Sequence, residues 1–553
     1  MQHFPELFEA LLKERGIESK DQEDFLSPDY RKLHDPLLMP DMEKARDRVI
    51  KAIEENEHIV VFSDYDADGI PGAVVLSDFF RRIKYENISF YIPHRHNEGF
   101  GLNTGAVKEC YKRGAKLIIT IDCGIADIEE VDVANKYGID VIITDHHKPK
   151  DTLPRAFAVV NQNRTDSTYP FKGLCGSGVV FKLVQAIVNK ESFGVKPGME
   201  KWSLDMVAIA TLSDMVPLLD ENRVLVRFGL DVLRKSPRLG LAALFKRLNM
   251  DQRNISEDDV VFMITPRINA ASRMGVPEDA FKLLITTDPL EAEKLSFHLE
   301  QINNKRKGVV ASLVKDAKSH LSAREEIPEV IVIGNPDWQP SLMGLVATAI
   351  VEEYKRPAFV WGRDGNGVLK GSCRSYNGCD LFALMNAMSE SFIEFGGHTG
   401  AGGFSFTLEN LSTLEENLSK AFLSLENSVA EMEKESGLAV NISDIGENLW
   451  NTVSQFAPFG MGNKKPVFKI SKAEIKSVKT FGKEANHLEI IFSGNENSSR
   501  SSSVKAISFF STPEDYDIAL TPGTNINLLA NIEKSYFRNR PELRLRIVDI
   551  IGT

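Results

Sequence analysis

The chain has few cysteines and no long apolar runs. Its five cysteines are scattered through 553 residues, odd in number and without Cys-x-x-Cys spacing, which excludes a disulfide framework and a structural zinc site. We expect reduced thiols in or near the core. No apolar stretch has the length of a membrane span, and the first residues, MQHFPELFEALLKERGI, form an amphipathic pattern rather than a secretion signal. The sequence therefore predicts a cytoplasmic protein without membrane contact.

Net positive charge is also missing. The chain carries 66 Lys and Arg against 78 Asp and Glu, a formal net charge of −12, which excludes a protein that coats nucleic acid with its whole surface. After about residue 464 the balance reverses, and basic residues outnumber acidic ones. A basic module on an acidic body can still hold a polyanion in one groove.

Three common hydrolase and nucleotide-binding motifs find no match in the stretches that most resemble them. The glycine-dense stretch FGGHTGAGG at 395–403 lacks the Lys-Ser/Thr of a P-loop and does not fit G-x-G-x-x-G. Ser177 does not lie in a G-x-S-x-G elbow, because Cys175 stands two positions before it. Two interpretations of His398, within the glycine-dense stretch, stay open: a donor to a phosphate chain, or a buried histidine in a structural turn.

Several carboxylates crowd one stretch, IVVFSDYDADGIPGAVV at 59–75. Its opening apolar run predicts a buried strand and its end predicts a helix, with Asp64, Asp66 and Asp68 in the loop between them. Like charges this close repel by several kcal/mol at an effective dielectric of about 20, so we expect divalent cations here rather than a solvated acidic turn. An EF-hand is excluded, because the twelfth position counted from Asp64 is Val75 rather than Glu.

Polar residues also follow neighbouring strand patterns. From about residue 46, apolar strands alternate with helices, which predicts βαβ units and a parallel sheet covered on both faces. Asp122 follows LIITI, and Asp145, His146 and His147 follow VIIT. Ligands of open α/β sheets bind at this carboxyl edge, so we expect these side chains to meet the aspartates of the first loop there. Asp214, which follows the helical run LDMVAIATLS, is a fourth source of carboxylate.

This mixed set of oxygen and nitrogen ligands favours Mn²⁺ or Mg²⁺ over zinc. Two such ions about 3.5 to 4 Å apart activate a water and stabilise the attacking and leaving oxygens of an in-line phosphoryl displacement. The sequence thus predicts hydrolysis of a phosphoester.

The middle of the chain predicts a phosphate-binding loop and a connector. ITPRINAASRMG at 264–275 has the pattern of a polar loop, with Arg267, Asn269 and Arg273 available for phosphate. A single long helix is expected from Leu290 to Leu321, where a run of three basic residues is typical of a solvated face. Strand and helix patterns restart after it.

The tail after about Pro466 contains many short β-prone runs. A small closed barrel of the OB type fits them, and so does a generic β domain. Basic and aromatic residues in these runs suit a single-strand track. They are Lys469, Lys479, Phe481, Tyr536, Phe537, Arg538 and Arg540.

These patterns divide the chain into five regions. They are a helical preamble at 1–45, an α/β catalytic domain with a parallel sheet at 46–290, a connector helix at 291–325, a smaller α/β domain at 326–437 and an OB-type β-barrel at 438–553.

Five motifs together resemble those of the DHH/DHHA1 phosphoesterases. They are DYDADG at 64–69, IDCG at 121–124, TDHH at 144–147, ATLSDMVPL at 210–218 and FGGHTGAGG at 395–403. In order, spacing and length the whole chain is similar to the single-strand-specific 5′-to-3′ DNA exonucleases of that family. The second and fourth regions then correspond to the DHH and DHHA1 domains. Three stretches depart from the family's pattern: Trp338-Gln339-Pro340-Ser341, Ser272, and GSG at 176–178.

The resemblance implies two metal ions, Mn²⁺ or Mg²⁺. One ion is held by Asp68, Asp122, His146 and Asp214. The second is held by Asp66 and Asp122, with Asp64 as a further candidate and Asp122 as the bridge. His147 would face the scissile phosphate, and Asp145 would orient a ligand.

The resemblance also implies a pocket that seizes the 5′-terminal phosphate, so that the metals cut at a fixed reach from the end. The residues implied for it are Arg95, Arg273, Ser372 and Arg374. His398 would contact the nucleotide backbone where the two catalytic domains meet.

The activity implied is metal-dependent degradation of single-stranded DNA to mononucleotides from the 5′ end, in DNA repair and recombination. The implied partners are single-stranded DNA, a single-strand-binding protein and a helicase, with the chain acting as a monomer. One alternative is a DHH hydrolase of short oligonucleotides, cyclic dinucleotides or pyrophosphate, for which the chain is long. Another is a non-catalytic replication scaffold, which would have lost ligands that are all present here.

Overall fold

The computed structural model describes residues 4–365, 367–426, 437–482, 484–493, 503–536 and 541–552, without the side chains of His398 and Glu426. The helices are α1 Pro5–Glu14, α2 Gln22–Leu26, α3 Met42–Glu54, α4 Gly69–Arg82, α5 Thr104–Lys112, α6 Ile128–Lys136, α7 Gly176–Lys190, α8 Leu204–Ser213, α9 Asp220–Leu233, α10 Leu239–Leu248, α11 Glu257–Asp259, α12 Thr265–Met274, α13 Glu278–Ile285, α14 Pro289–Ser322, α15 Met343–Tyr354, α16 Leu381–Ala387, α17 Leu411–Glu426 and α18 Glu447–Val453. The strands are β1 Ile59–Ser63, β2 Ile88–Tyr91, β3 Leu117–Ile121, β4 Asp140–Thr144, β5 Ala158–Val160, β6 Ile331–Gly334, β7 Ala358–Arg363, β8 Leu369–Arg374, β9 Glu394–His398, β10 Ala401–Phe406, β11 Leu438–Val440, β12 Phe468–Phe481, β13 His487–Phe492, β14 Val504–Phe509, β15 Asn525–Ser535 and β16 Glu542–Ile551.

The first sheet is parallel and has the strand order β2-β1-β3-β4-β5. Apolar residues of β1 pack on both faces: Ile59 and Val61 belong to one hydrophobic core, and Val60 and Phe62 to another. A strand covered on both sides needs a continuous apolar run rather than alternation, which is why IVVFS forms β1. The predicted parallel sheet with helices on both faces is confirmed.

The long helix predicted from Leu290 to Leu321 is confirmed as α14. Its buried side chains, among them Leu295 and Leu299, pack on the helices of the catalytic domain. The polar loop predicted at 264–275 is wrong, because the segment is helix α12. Pro266 lies in its first turn, where a proline is tolerated, and Ile268 is buried in the core.

The second sheet is mixed, with the order β6-β7-β8-β10-β9: β6 and β7 pair in parallel, and the pairs β7–β8, β8–β10 and β10–β9 are antiparallel. Helices α15, α16 and α17 accompany it. This is the smaller α/β domain that the sequence predicts. All five cysteines of the chain are buried free thiols, as expected.

The third sheet closes on itself. Strand β12 pairs with β13, β13 with β14, β14 with β16, β16 with β15, and β15 again with β12. This ring of five strands is a small barrel, as predicted, with β11 added beside β12. Two predicted short strands, VFKIS and IKSVKTF, form the single strand β12. Phe537, Arg538 and Arg540 lie outside the described residues.

Helix α1 packs into the core of this barrel, which the sequence does not predict. Phe8, Leu11 and Leu12 share one hydrophobic cluster with Phe456 and strand residues such as Phe468. The first helix of the preamble therefore contacts the last module of the chain. No helix among the described residues has the length and apolarity needed to cross a membrane.

Candidate metal centre

The register of the parallel sheet brings the acidic strand ends together. The last residues of β1, β3 and β4 are ladder neighbours, so Asp64, Asp122 and Asp145 follow at adjacent positions. The ladder continues one step further, since Asp64 N–H donates to Ile121 O and Asp122 N–H donates to Thr144 O, both at 3.0 Å. Asp122 then adopts a φ of 60°, a left-handed conformation that Asp tolerates better than most residues.

The Asp68 carboxylate is held at the start of α7. Its oxygens accept hydrogen bonds from Gly176 N–H (2.6 Å) and Ser177 N–H (2.8 Å), where the helix dipole favours a negative charge. Position 176 requires a glycine, because a Cβ there would lie 2.6 Å from Asp122 Cβ. The GSG stretch thus brings a helix N-terminus against two acidic loops.

The first acidic loop is held by its own backbone and by one distant residue. Asp66 Oδ1 accepts hydrogen bonds from Asp68 N–H (2.7 Å) and Gly69 N–H (3.2 Å). Asn269 Oδ1 accepts one from Ala67 N–H (2.9 Å). Asn269 therefore positions this loop, a role that the sequence did not indicate.

The two histidines have different surroundings. His146 Nε2 lies 3.1 Å from Asp122 Oδ1, 3.7 Å from Asp214 Oδ2 and 3.8 Å from Asp68 Oδ2. His147 Nδ1 lies 2.8 Å from Asp145 Oδ1. His146 thus faces the carboxylates, and His147 is tied to Asp145.

Among the described residues, three sets of side chains have ligand atoms close enough for a shared ion. They are Asp68 with His146 and Asp214, Asp64 with Asp66 and Asp122, and Asp122 with His146 and His147. The structure therefore brings together every residue that the sequence assigned to the metals, with Asp122 in two of the three sets.

The electrostatics of the cluster fit divalent cations. Burial raises the pKa values of Asp64, Asp68 and Asp122, and neighbouring carboxylates raise them further. Burial and the charges of Asp68 and Asp66 raise the pKa of Asp214 to about 8. Asp64 Oδ1 and Asp122 Oδ1 are buried without a hydrogen-bond donor among the described residues. Such oxygens are costly to bury as anions unless cations meet them.

The surroundings shift the pKa values of the two histidines in opposite directions. Burial lowers the pKa of His146. Burial also acts to lower the pKa of His147. The hydrogen bond to Asp145 and the negative charge of Asp145 outweigh burial and raise the pKa of His147 to about 9. Asp145 is buried, and its bond to His147 still holds its pKa below the usual range.

A group of arginines lies beside the metal cluster. Arg273 Nη1 donates to Ser341 O (2.6 Å), which ties helix α12 to the turn just before α15. Burial, and then the charges of Arg95, Arg306 and Arg374 among its neighbours, lower the pKa of Arg273 to about 9. Arg95 and Arg374 therefore lie close enough to Arg273 for their charges to act on it. The structure adds Arg306, which the sequence placed on a solvated face of the connector.

The second domain supplies the other predicted phosphate ligands. Ser372 and Arg374 are two apart on β8 and so point to the same side of the sheet. The Arg374 guanidinium packs against α15, where a Cβ on Gly344 would lie 2.7 Å from its Nη2. The backbone of His398 ends β9, opposite Ala401, but its side chain lies outside the described residues.

Arg267 does not serve the role of a free phosphate ligand that its position indicated. It is 3% exposed, and its Nε donates to Glu300 Oε2 at 2.8 Å on the connector helix. Because the segment is a helix rather than a loop, Arg267 points into the protein. Ser272, one of the departures from the family pattern, is also buried on this helix.

Family models match three parts of the chain. Residues 58–211 match the N-terminal domain of the DHH family, residues 327–424 match the DHHA1 domain, and residues 438–549 match the RecJ OB domain. The three matches fall on the parallel sheet, the mixed sheet and the barrel, in that order.

Curated relatives and solved structures agree with these matches. The chain is 33% identical to a single-stranded-DNA-specific exonuclease RecJ of Bacillus subtilis over 99% of this chain and 68% of the relative, and 29% identical to that of Escherichia coli over 84% and 83%. The crystal structure of RecJ from Thermus thermophilus in complex with Mn²⁺ has a TM-score of 0.78 at 25% identity and covers 99% of this chain and 76% of that chain. The chain belongs to the family of RecJ single-stranded-DNA-specific exonucleases.

Proposed function

We propose that this chain is a metal-dependent exonuclease that degrades single-stranded DNA from its 5′ end to mononucleotides, in DNA repair and recombination. The observation that carries the proposal is the pairing of an aspartate and histidine cluster with a group of arginines across two domains. Its relatives are named single-stranded-DNA-specific exonucleases, and a solved relative holds Mn²⁺.

The side chains present fit two ions, Mn²⁺ or Mg²⁺. Asp68, Asp122, His146 and Asp214 would hold one, and Asp64 and Asp66 would hold the second together with Asp122. When bound, the ions activate a water and stabilise the charge of an in-line phosphoryl displacement.

His147 would assist at the scissile phosphate. Asp145 Oδ1 accepts from its Nδ1, which fixes the ring and directs Nε2 away from Asp145. A protonated ring in this position donates to a phosphate oxygen and stabilises the charge that develops there. Asp145 is itself fixed, because its oxygens also accept from the backbone N–H groups of Ile125, His146 and His147.

The arginines would determine the polarity. Guanidinium groups of Arg95, Arg273 and Arg374, with Ser372, would bind a 5′-terminal phosphate by charge-assisted hydrogen bonds. The positive charges of Arg95 and Arg374 repel that of Arg273, so a bound anion would stabilise all three. A strand held by its end presents the bond next to that end to the cluster, so cleavage proceeds from the 5′ terminus. We also propose, from the family resemblance, that His398 contacts the nucleotide backbone.

The barrel would hold the strand that follows. Phe481 packs against His487 and Phe509, and the Arg546 guanidinium lies 4.0 Å from the centre of the Phe509 ring. Aromatic and basic groups on one barrel suit stacking of unpaired bases. We further propose the five-region division given above, and a monomer acting in the cytoplasm on strands that a helicase opens and a single-strand-binding protein covers.

The alternative of a small-substrate hydrolase is tested by substrate length. The chain is incubated with Mn²⁺ and either a long single strand, a blunt duplex, short oligonucleotides or cyclic dinucleotides. We expect the long single strand to be degraded and the duplex to be spared. Cleavage confined to the short oligonucleotides and cyclic dinucleotides would overturn the proposal.

A further inference from the structure

Asp214 is held differently from Asp68 and Asp145. The Asp68 carboxylate accepts two backbone hydrogen bonds and that of Asp145 accepts three. Among the residues that the structure describes, the nearest partner of the Asp214 carboxylate is His146 Nε2, at 3.7 Å. The position of Asp214 therefore depends on the backbone on either side of it, namely the end of α8 and the segment from 215 to 219.

That segment is held by the loop that leads into the barrel, residues 456–463, which we call the junction loop. Leu218 N–H donates to Met461 O at 2.7 Å. Gly460 lies against the same residue, so closely that a Cβ there would lie 2.7 Å from Leu218 Cδ1. Gly462, with a φ of 73°, lies against Leu219 and Pro217. The junction loop thus contacts the backbone only four residues after Asp214.

The junction loop is itself fixed to the catalytic domain. The buried Arg223 donates to the carbonyl oxygens of Phe456 (3.0 Å) and Ala457 (3.0 Å). Phe459 N–H donates to Glu257 Oε1 at 2.9 Å. A buried guanidinium that donates to two carbonyl groups of a loop leaves the loop little freedom, because each carbonyl it releases would lose its donor.

We propose that the junction loop positions Asp214, so that the barrel module completes the metal site as well as holding DNA. Leu218 and Gly460 are the positioning residues, and neither belongs to the candidate ligand sets of the metal centre. The inference rests on the proposed function, in which Asp214 is a metal ligand. It predicts that a change in the junction loop alters metal affinity without altering the affinity for a single strand.

The substitution Gly460→Ala tests this, because its methyl group displaces Leu218. We expect the Mn²⁺ concentration for half-saturation to rise by about 10-fold or more, as for other residues that orient a metal ligand. Free Mn²⁺ is measured by electron paramagnetic resonance, and single-strand affinity is measured without metal. Gly446→Ala is the matched control, since no atom of the described residues lies within 4 Å of a Cβ built at that position.

A second substitution separates this contact from a general loss of folding. Leu218→Val removes the Cδ atom that the added methyl group at position 460 would meet, so the double variant Leu218→Val/Gly460→Ala should regain part of the lost Mn²⁺ affinity. Unchanged Mn²⁺ affinity in Gly460→Ala, or no recovery in the double variant, would overturn the inference.

Hydrogen exchange of the unmodified chain gives an independent measurement. Coupling between two sites is reciprocal, so saturating Mn²⁺ should slow exchange of the Leu218 amide, which donates to Met461 O. An unchanged rate would also overturn the inference. An unmodified chain that binds Mn²⁺ and fails to degrade single strands would instead overturn the proposed function, so the two failures are distinguishable.

Discussion

The Oδ1 atom of Asp145 lies 2.8 Å from His147 Nδ1 and also accepts the backbone N–H groups of His146 and His147. One carboxylate oxygen therefore fixes both the ring of His147 and the turn that carries His146. The positions of both histidines therefore depend on Asp145.

The substitution Asp145→Asn should lower turnover by about 10- to 100-fold, the usual effect of changing a residue that orients a metal-site ligand. The asparagine amide is neutral and has one acceptor oxygen instead of two. It therefore holds the His147 ring less firmly than the carboxylate does. Steady-state hydrolysis of a single strand checks this. Asp140→Asn, at the other end of β4 and paired with Arg48, should leave turnover unchanged. Full activity of Asp145→Asn would contradict the role of His147.

The substitution Gly176→Ala should lower turnover by about 100-fold, since displacement of reacting groups by an ångström has effects of that size. The added methyl group would lie 2.6 Å from Asp122 Cβ and must move the proposed bridging ligand. Gly178→Ala is the control, because its nearest atom is at an ordinary 3.5 Å. Equal activity of the two variants on the same strand would show that the close approach of residue 176 to Asp122 does not affect turnover.

The substitution Arg374→Ala should weaken binding of 5′-phosphorylated strands by about 2 kcal/mol, a factor of about 30, the size of a hydrogen bond to a charged group. Strands with a 5′-hydroxyl end should lose much less. Competition between the two strands for the same enzyme measures the difference. Arg363→Ala, an exposed arginine at the end of β7, is the control. An equal loss on both strands would exclude Arg374 from the end pocket.

The double substitution Lys469→Ala/Lys479→Ala on the barrel should flatten the salt dependence of single-strand binding. Each phosphate contact contributes about 0.7 to the slope of log affinity against log salt, so two lost contacts should reduce the slope by about 1.4. Binding titrations at several salt concentrations give the slope. Lys112→Ala/Lys420→Ala, which removes two exposed lysines elsewhere, is the control. An unchanged slope would place the strand on another surface.

Metal-free stability should depend on pH through Asp214. Its pKa is about 8 in the folded chain against an ordinary value of 3.8, so between these pH values the folded state binds more protons than the unfolded state. Stability from this group is therefore lost as pH rises from about 4 to about 8. Melting temperatures of the unmodified chain and of Asp214→Asn, compared across this range, check the prediction. A constant difference between them would contradict it.

The sequence predicts the sheet and the metal cluster because both follow from local patterns. Each strand is a short apolar run, and the carboxylates and histidines stand directly after those runs, where the parallel topology must gather them. Helix α12 was missed because Arg267 and Ser272, polar in sequence, are buried inside it. Arg306 was missed because a basic run on a long helix gives no sign of the surface that it faces.

Contacts between segments that are far apart in the chain produce no hydrophobic periodicity in either segment. Phe8 packs in the barrel core, and Arg223 donates to Phe456 O across 233 residues of sequence. The sequence of one segment does not identify the segment that it contacts. The contacts of the junction loop and of α1 with the barrel are therefore known only from the structure.

The central claim is tested most directly by digestion, with Mn²⁺, of a long single strand labelled at either its 5′ or its 3′ end, beside the same strand in blunt duplex. Early release of the 5′ label as a mononucleotide, with the 3′ label retained in shortening products and the duplex spared, is the result expected. Early release of the 3′ label, or equal degradation of the duplex, would contradict a 5′-to-3′ exonuclease specific for single strands.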